Sequence, residues 1–205
     1  MATYKRTASL FLAAIVVVLL ATNSVAENNI AVLGISQITR DSTGYGYGFF
    51  QRQTSATAFG PSIEYRLWWR SNGISASYSA VASNANFICS AGETPSALKR
   101  HEFTVAYIHR WNRGNRAPYA KIGGGGFITN GGWFRGALPG ERLGIDGRGL
   151  LTAEIGVDVK LRSRLSFRSG MAVDWFRAPD FSDVKYHAAR TVMLEPKVGF
   201  VWSWR

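Results

Sequence analysis

The C-terminal segment of this chain alternates between apolar and polar residues. From residue 192 to residue 204 every even position is apolar, and the series ends on the aromatic residues Phe200, Trp202 and Trp204. The odd positions include Glu195 and Lys197. A period of two is typical of a β-strand with one apolar face, because successive side chains of a strand point to opposite sides. The fold must therefore place this apolar face against a core or against lipid.

The N-terminus has the three parts of a secretory signal peptide. Lys5 and Arg6 form a basic region, an unbroken apolar run covers residues 10–21, and Ser24 and Ala26 are the small residues of a cleavage site. An uncleaved membrane anchor is the alternative, but the run is shorter than the roughly 20 residues that a spanning helix needs. We therefore expect a cleaved signal peptide over residues 1–26 and a single domain over residues 27–205.

The same alternation predicts eight strands in this domain, joined by connections that are alternately long and short. No other segment approaches a transmembrane helix, so a chain that crosses a membrane here must do so as a closed barrel. Short turns at one end and long loops at the other are typical of an all-β, antiparallel, up-and-down outer-membrane barrel, with its short turns in the periplasm. The predicted strands are residues 29–39, 57–70, 73–84, 101–111, 118–129, 149–162, 164–177 and 190–204. The long connections are 40–56, 85–100, 130–148 and 178–189.

The polar face of these strands predicts the barrel interior rather than a solvated surface. It is rich in serine and glycine, whereas a face in water would carry more lysine and glutamate. An eight-stranded barrel is just wide enough to be filled by side chains, so small residues leave room for a few long charged ones. A soluble barrel with inverted faces is the alternative. The lipid-facing aromatic residues would form girdles near the strand ends: Trp69, Trp111, Trp202 and Trp204 on the periplasmic side, and Phe59, Phe103 and Trp175 on the outer side.

Acidic and basic residues on the polar face are equal in number. Because a lone buried charge costs several kcal/mol, we expect them to pair in a salt-bridge network that closes the lumen. The predicted network consists of Glu64, Arg66, Glu102, Arg110, Lys121, Glu154, Asp158, Lys160, Arg168, Asp174, Glu195 and Lys197.

The formal net charge is +11, and without Lys5 and Arg6 of the signal peptide the 22 remaining basic and 13 acidic residues leave +9. This excess must then lie in the loops and at the two rims. Guanidinium groups match phosphate geometry, so we expect both rims to contact anionic headgroups, namely outer-membrane lipids and lipopolysaccharide phosphates. Nucleic acid is not an expected partner, because the strand pattern explains where the basic residues lie. The periplasmic rim is predicted to consist of Arg70, Arg113, Arg116, Arg162 and Arg164, and the outer loops are expected to carry Arg100 among their basic residues.

Cysteine, histidine and glycine give no sign of a cofactor or metal site. The single Cys89 excludes an internal disulfide, and the histidines are too scattered for a Cys/His metal cluster. The glycine runs at 44–48 and 123–126 lack the strand–turn–helix context of a phosphate-binding loop. Inside a strand, the second run is expected to make room for charged interior side chains.

The last residues of the chain follow a recognisable spacing. Lys197, Gly199, Trp202 and Trp204 are spaced like the β-signal of outer-membrane barrels, although members usually end on the aromatic residue rather than one position later, as here at Arg205. On this motif and on its architecture, the chain resembles the small outer-membrane β-barrel family, the OmpA/OmpX-like and opacity-protein-like group. The resemblance implies the barrel assembly machinery as a partner during biogenesis and a structural, adhesive, host-interaction or, rarely, enzymatic role.

Fold alone does not choose among these roles. We predict a monomeric, non-enzymatic barrel whose four outer loops carry recognition of an unidentified ligand. One alternative is a lipid-modifying enzyme similar to lipid A deacylases, which would need a serine near a histidine; His101 could meet Ser83, whereas His109 and His187 have no evident partner. A narrow small-solute channel is another. The loop aromatics available for recognition are Tyr45, Tyr47, Phe49, Phe50, Trp133 and Phe134.

Overall fold

The structure of the chain is a computed structural model that describes residues 27–46, 49–54, 56–89, 92–131, 145–177 and 190–204. Ten β-strands make up almost all of this part of the chain. Their bounds are β1 Glu27–Thr39, β2 Ser42–Gly46, β3 Phe49–Gln53, β4 Ala56–Trp69, β5 Asn72–Cys89, β6 Gly92–Arg110, β7 Arg116–Gly131, β8 Ile145–Lys160, β9 Leu165–Arg177 and β10 Arg190–Trp204. Among the described residues, no helix is long and apolar enough to cross a membrane.

Eight of the ten strands close into one antiparallel barrel. Neighbours in the chain are neighbours in the sheet, and β1 pairs with both β4 and β10. β5 also pairs with β6, so the sheet closes on itself and the ring of eight strands has no free edge. The predicted eight-stranded up-and-down barrel is confirmed. Every interior backbone group of such a closed sheet can bond to a neighbouring strand, which is what crossing lipid requires.

Three segments predicted as loops contain strand residues. In the predicted loop 130–148, β7 continues to Gly131 and β8 begins at Ile145. The short strands β2 and β3 form a hairpin within the first connection, and β3 continues the sheet by pairing with the end of β5, as in the pair Gln51 and Cys89. Likewise, β5 and β6 stay paired through residues 85–100, as far as Cys89 and Gly92. The sequence did not show these extensions, because a hairpin that projects beyond lipid and lumen has no two distinct faces to make its residues alternate in polarity.

The connection between β4 and β5 is a two-residue turn formed by Arg70 and Ser71, not the predicted turn at residues 71–72. Trp69 and Asn72 close it as a cross-strand pair. Arg70 has a φ of 62°, in the left-handed region where glycine is normally favoured. The strand bounds therefore shift by one residue relative to the prediction, while the alternation of β4 keeps its register.

The burial of the strands separates an outer and an inner face. Large apolar residues are exposed all around the barrel, for example Val32, Ile63, Ile122, Ile155 and Phe200. On β4, β6, β8, β9 and β10 the predicted polar set points inward and the apolar set outward. The barrel therefore presents lipid-compatible side chains outside and encloses its charged residues.

One side of the interior is apolar. β1 turns Leu33 and Ile35 inward, where they form a buried cluster with neighbours on β4, β5 and β10. The other cluster members are Ala31, Ala58, Val81 and Val201. Among the described residues, β1 contributes no buried charged side chain, and the buried charges come from β4 and from β6 to β10.

Candidate functional site

The centre of the lumen is organised around Glu64 on β4. Its carboxylate contacts Arg66 Nη2 at 3.0 Å, Lys121 Nζ at 3.0 Å and Arg168 Nη1 at 2.6 Å. All four side chains are 2% exposed or less. Alternation of the strands places them here, because Glu64 and Arg66 are two residues apart on β4 and therefore share its inner face. One carboxylate thus balances three cations from three different strands.

Two further carboxylates complete this central set. Glu154 on β8 contacts Lys121 Nζ at 2.7 Å and Lys197 Nζ at 3.1 Å. Asp158, four residues further along the same face of β8, receives two hydrogen bonds from Arg168, of 2.6 and 2.8 Å. Such a bidentate fork is the strongest arrangement that arginine offers a carboxylate. The central set links β4, β7, β8, β9 and β10 across the lumen.

Tyr119 on β7 packs beneath this set. Its hydroxyl donates a 2.7 Å hydrogen bond to Glu154 Oε1, and its ring lies 4.2 Å from the Arg66 guanidinium carbon. Gly156 and Gly170 make space for it, since a Cβ at these positions would lie 2.5 and 2.8 Å from the Tyr119 hydroxyl. The two glycines face each other across β8 and β9. An aromatic ring therefore occupies the lumen where the wall has no side chains.

The glycines of β7 have a different role from the one predicted. A Cβ at Gly123 or Gly125 would collide with the backbone of β6, at the Val105 and Phe103 carbonyls, rather than with an arginine or lysine side chain. These glycines allow two strands to approach closely. The prediction that they make room for charged interior side chains is wrong for these two positions.

Arg100 on β6 is an interior residue, not a loop residue as predicted. It is 8% exposed, and its guanidinium carbon lies 4.3 Å from the Phe127 ring centre and 5.0 Å from that of Phe176. Leu150 and Met193 complete this buried cluster. The sequence signal was available, since Arg100 lies two residues before Glu102 and shares its face, but strand β6 was predicted to begin only at residue 101.

Arg110 and Lys160 do not join the central set. Both lie at strand ends, at the mouth of the barrel on the short-turn side: Arg110 pairs with Glu27 at 2.6 Å, and Lys160 is exposed. They help line a polar cavity of about 590 Å³ at this mouth, together with Asn29 and Ser203. The predicted six-to-six balance is therefore wrong for these two residues, because side chains at the last position of a strand reach water.

The remaining predicted acids form a separate layer. Glu102, Asp174 and Glu195 are buried on the long-loop side of the central set, where Lys197 Nζ contacts Glu195 at 2.7 Å. Gln37 on β1 donates to Glu195 at 2.5 Å and, more weakly, to Glu102 at 3.4 Å. Sequence reasoning missed Gln37, although its position on the inner face follows from the alternation of β1.

The predicted rim arginines and the two tryptophans of the assembly motif lie near one end of the barrel, whereas Lys197 of that motif lies in the lumen. All five rim arginines, Arg70, Arg113, Arg116, Arg162 and Arg164, are exposed there. Of the assembly motif, Lys197 and Gly199 point inward, whereas Trp202 and Trp204 are exposed on the outer face. Trp69 and Trp111 are also exposed at this end. Exposed tryptophan and arginine side chains thus surround the short turns at this end of the barrel.

The histidines of the described residues contact groups other than serine. His101 Nδ1 lies 2.8 Å from the Tyr78 hydroxyl rather than near Ser83, and His109 Nδ1 lies 2.8 Å from Asn72 Oδ1. Cys89 is the last residue of β5. Tyr45, Phe49 and Phe50 belong to β2 and β3, and their side chains are outside the description. Six residues singled out from the sequence lie outside the described residues: Ser24, Ala26, Tyr47, Trp133, Phe134 and His187.

No protein-family model matches the sequence, and no curated protein matches it. Several solved structures are similar in fold. Neisserial surface protein A (NspA) has a TM-score of 0.58 and 12% identity over 85% of this chain and 97% of that one. The outer membrane protein OprG from Pseudomonas aeruginosa has a TM-score of 0.59 and 13% identity, over 88% and 96%.

A third similar structure is Ail, the attachment invasion locus protein of Yersinia pestis, in complex with the heparin analogue sucrose octasulfate. It has a TM-score of 0.51 and 13% identity, and covers 86% of this chain and 99% of that one. At such identities the likeness concerns the fold. The closed eight-stranded sheet, its apolar exterior and these three similarities agree, and the chain has the fold of the small outer-membrane β-barrels.

Proposed function

We propose that this protein is a non-enzymatic integral β-barrel of the outer membrane of a Gram-negative-type bacterium, exported by a cleaved signal peptide. Its lumen is closed by paired charges, and its work is done by the segments at the long-loop end. The observation that carries this proposal is the buried set around Glu64, in which charged side chains from opposite walls meet at 2.6–3.0 Å.

The layering of the side chains supports a closed lumen. The central charged set lies beneath the layer of Glu102, Asp174 and Glu195, and the Arg100 cluster lies above that layer. The inner faces of β1, β4, β5 and β10 contribute the apolar cluster around Leu33 and Ile35. Charges held in such an interior are costly to separate, because removing one partner leaves another buried without compensation. A solute would have to break these ion pairs to pass.

Recording of single proteins in planar bilayers tests closure. We expect no large, stable conductance from the folded protein. As a matched comparison, the double variant Glu64→Ser/Arg168→Ser removes one charge of each sign and two long side chains from the same layer, and it should raise the conductance. A large and stable conductance of the unsubstituted protein would refute closure and favour the channel alternative.

Placement and orientation need a separate experiment. An epitope tag inserted in the segment 132–144, which connects β7 and β8, should be accessible to antibody on intact cells. A tag in the short turn at residues 113–115 should become accessible only after the outer membrane is permeabilised. Equal accessibility of both tags on intact cells, or of neither after permeabilisation, would contradict the proposed orientation or location.

The rims and the C-terminal strand give this role its lipid and assembly partners. Exposed arginines around the short turns are suited to lipid phosphates, and the long-loop end would face lipopolysaccharide phosphates. Trp202 and Trp204 face outward on β10. The barrel assembly machinery would bind these side chains before β10 pairs with β1. The protein acts as a monomer in this proposal, and its loop ligand is a surface partner.

A further inference from the structure

Three buried carboxylates converge in the outer half of the lumen. Glu102 on β6, Asp174 on β9 and Glu195 on β10 are each 5% exposed or less. One oxygen of each lies within 4.8 Å of the corresponding oxygen of the other two. Like charges this close repel strongly where water is excluded, so the layer needs a compensating positive charge.

The described bases do not supply enough positive charge to this layer. Arg66, Lys121 and Arg168 contact the central carboxylates Glu64, Glu154 and Asp158. That leaves Lys197 as the base in contact with the outer layer, and it is shared with Glu154. Three carboxylates against one ammonium leave two negative charges in this layer.

Arg100 is the nearest further candidate, but it faces elsewhere. Its guanidinium is stacked on Phe127 and Phe176, and its Nη1 lies 2.9 Å from the Met193 sulfur. Within the described part of the chain, Arg100 makes no ion pair of 4.0 Å or less with a carboxylate. Its charge acts on the three carboxylates from beyond contact distance, so it lowers their mutual repulsion without occupying the space between their oxygens.

Two polar groups in this layer are left without a hydrogen-bond partner. Both carboxylate oxygens of Asp174 lack one of normal geometry, although the Thr152 hydroxyl lies opposite on β8. The Ser79 hydroxyl also lacks one, is 5% exposed, and belongs to the residue directly opposite Glu102 across β5 and β6. A buried polar group without a partner is uncommon in folded proteins, and an ion bound here would give both groups one.

We propose that Glu102, Asp174, Glu195 and Ser79 form a binding site for a divalent cation of the calcium class. Carboxylate and hydroxyl oxygens are the ligands that such hard cations prefer. Ligands on opposite sides of Ca²⁺ are about 4.6–5.2 Å apart, because each metal–oxygen bond is about 2.3–2.6 Å. The 4.8 Å limit on the carboxylate oxygens fits inside that sphere. A divalent cation would also supply the positive charge that the layer lacks between its three carboxylates.

The surroundings determine how the cation would be held. Gln37 donates to both Glu195 and Glu102, and so fixes the orientation of two ligands. The Arg100, Phe127 and Phe176 cluster covers the site from the long-loop side. Exchange in the folded barrel is therefore slow, and the cation is loaded during folding. The bound ion ties β5, β6, β9 and β10 together across the lumen.

Binding of radioactive Ca²⁺ tests the site directly. The protein is folded into phosphatidylcholine vesicles with Ca²⁺ present and then dialysed, with folding of each variant checked by heat-modifiable gel mobility. We expect saturable retention of about one Ca²⁺ per chain. Glu102→Gln and Asp174→Asn should each weaken retention at least tenfold. Ser79→Ala, which removes only a hydroxyl, should fold normally and weaken it several-fold.

The matched control is Asp158→Asn, which removes a lumen carboxylate outside the proposed site. It should retain Ca²⁺ as the unsubstituted protein does. Absence of saturable Ca²⁺ retention by the folded, unsubstituted protein would overturn the proposal, as would equal losses in Asp158→Asn and Asp174→Asn. A urea midpoint that changes with pH but not with Ca²⁺ would assign the missing charge to a proton and would also overturn it.

Discussion

The sharpest consequence of the lumen geometry concerns Glu64, because its carboxylate contacts three bases at 3.0 Å or less. In Glu64→Gln the shape is kept, but Arg66, Lys121 and Arg168 lose their common counter-charge. Breaking a buried ion pair by removing one partner costs about 3–5 kcal/mol. We therefore expect the unfolding equilibrium constant to rise by roughly 10² to 10⁴-fold, at 1.36 kcal/mol for each factor of ten.

The assay is equilibrium unfolding by urea of the protein folded in lipid vesicles, followed by tryptophan fluorescence. The control is the ion pair between Arg52 and Asp41, whose side chains are 51% and 35% exposed. Because exposed pairs are worth about 0–1 kcal/mol, Asp41→Asn should stay within that range. The same chemical change, a carboxylate to an amide, is thus compared in two environments.

A second variant separates charge from packing. Adding Lys121→Met to Glu64→Gln removes one charge of each sign, so the double variant should be more stable than the sum of the two single effects indicates. A cost of less than 1 kcal/mol for Glu64→Gln would refute the reasoning. So would strict additivity with Lys121→Met, since it would mean that the two groups do not interact.

Three further outcomes are expected. Arg70→Gly should stabilise the barrel by about 0.5–1 kcal/mol in the same urea assay, because glycine relieves the left-handed φ of 62°, whereas Arg70→Ala removes the same charge without that relief and should bring no gain. Gly156→Ala should destabilise the barrel by about 1–3 kcal/mol, since its Cβ would lie 2.5 Å from the Tyr119 hydroxyl. Gly34→Ala should change the stability little, because its nearest neighbour would lie at 3.9 Å. Equal effects of the two substitutions would contradict the packing argument. Trp202→Ser should reduce the amount of heat-modifiable protein in outer-membrane fractions severalfold without abolishing spontaneous folding in detergent, and normal assembly in cells would exclude a signal role for this residue.

The sequence was sufficient to predict the barrel, because lipid outside and a packed lumen inside impose alternation on every spanning strand. The alternation of each strand was enough to place Glu64, Arg168 and Lys197 on the inner face. Alternation does not show how far along the barrel axis a residue lies, however, which is why Lys160 was expected in the network and Arg100 in a loop. Depth depends on the stagger of neighbouring strands, and this is fixed only when the ring closes.

Residues of the lumen with no charge were the hardest to predict. Gln37 holds two carboxylates, and Tyr119 fills the space left by Gly156 and Gly170, yet neither belongs to a motif. Their positions follow from contacts across the barrel between strands far apart in the chain. Pattern reasoning within a single strand contains no such information.

The extended hairpin of β5 and β6 changes what a surface partner would encounter. A spanning strand needs about 9–11 residues, so these strands of 18 and 19 residues continue for about eight more, or roughly 25 Å of chain at about 3.3 Å per residue. β3 braces this projection by pairing with β5. A partner that bound this projection would contact a hairpin whose strands are already paired. The entropy lost on binding would then be smaller than for a flexible loop. Affinity could therefore come from few contacts.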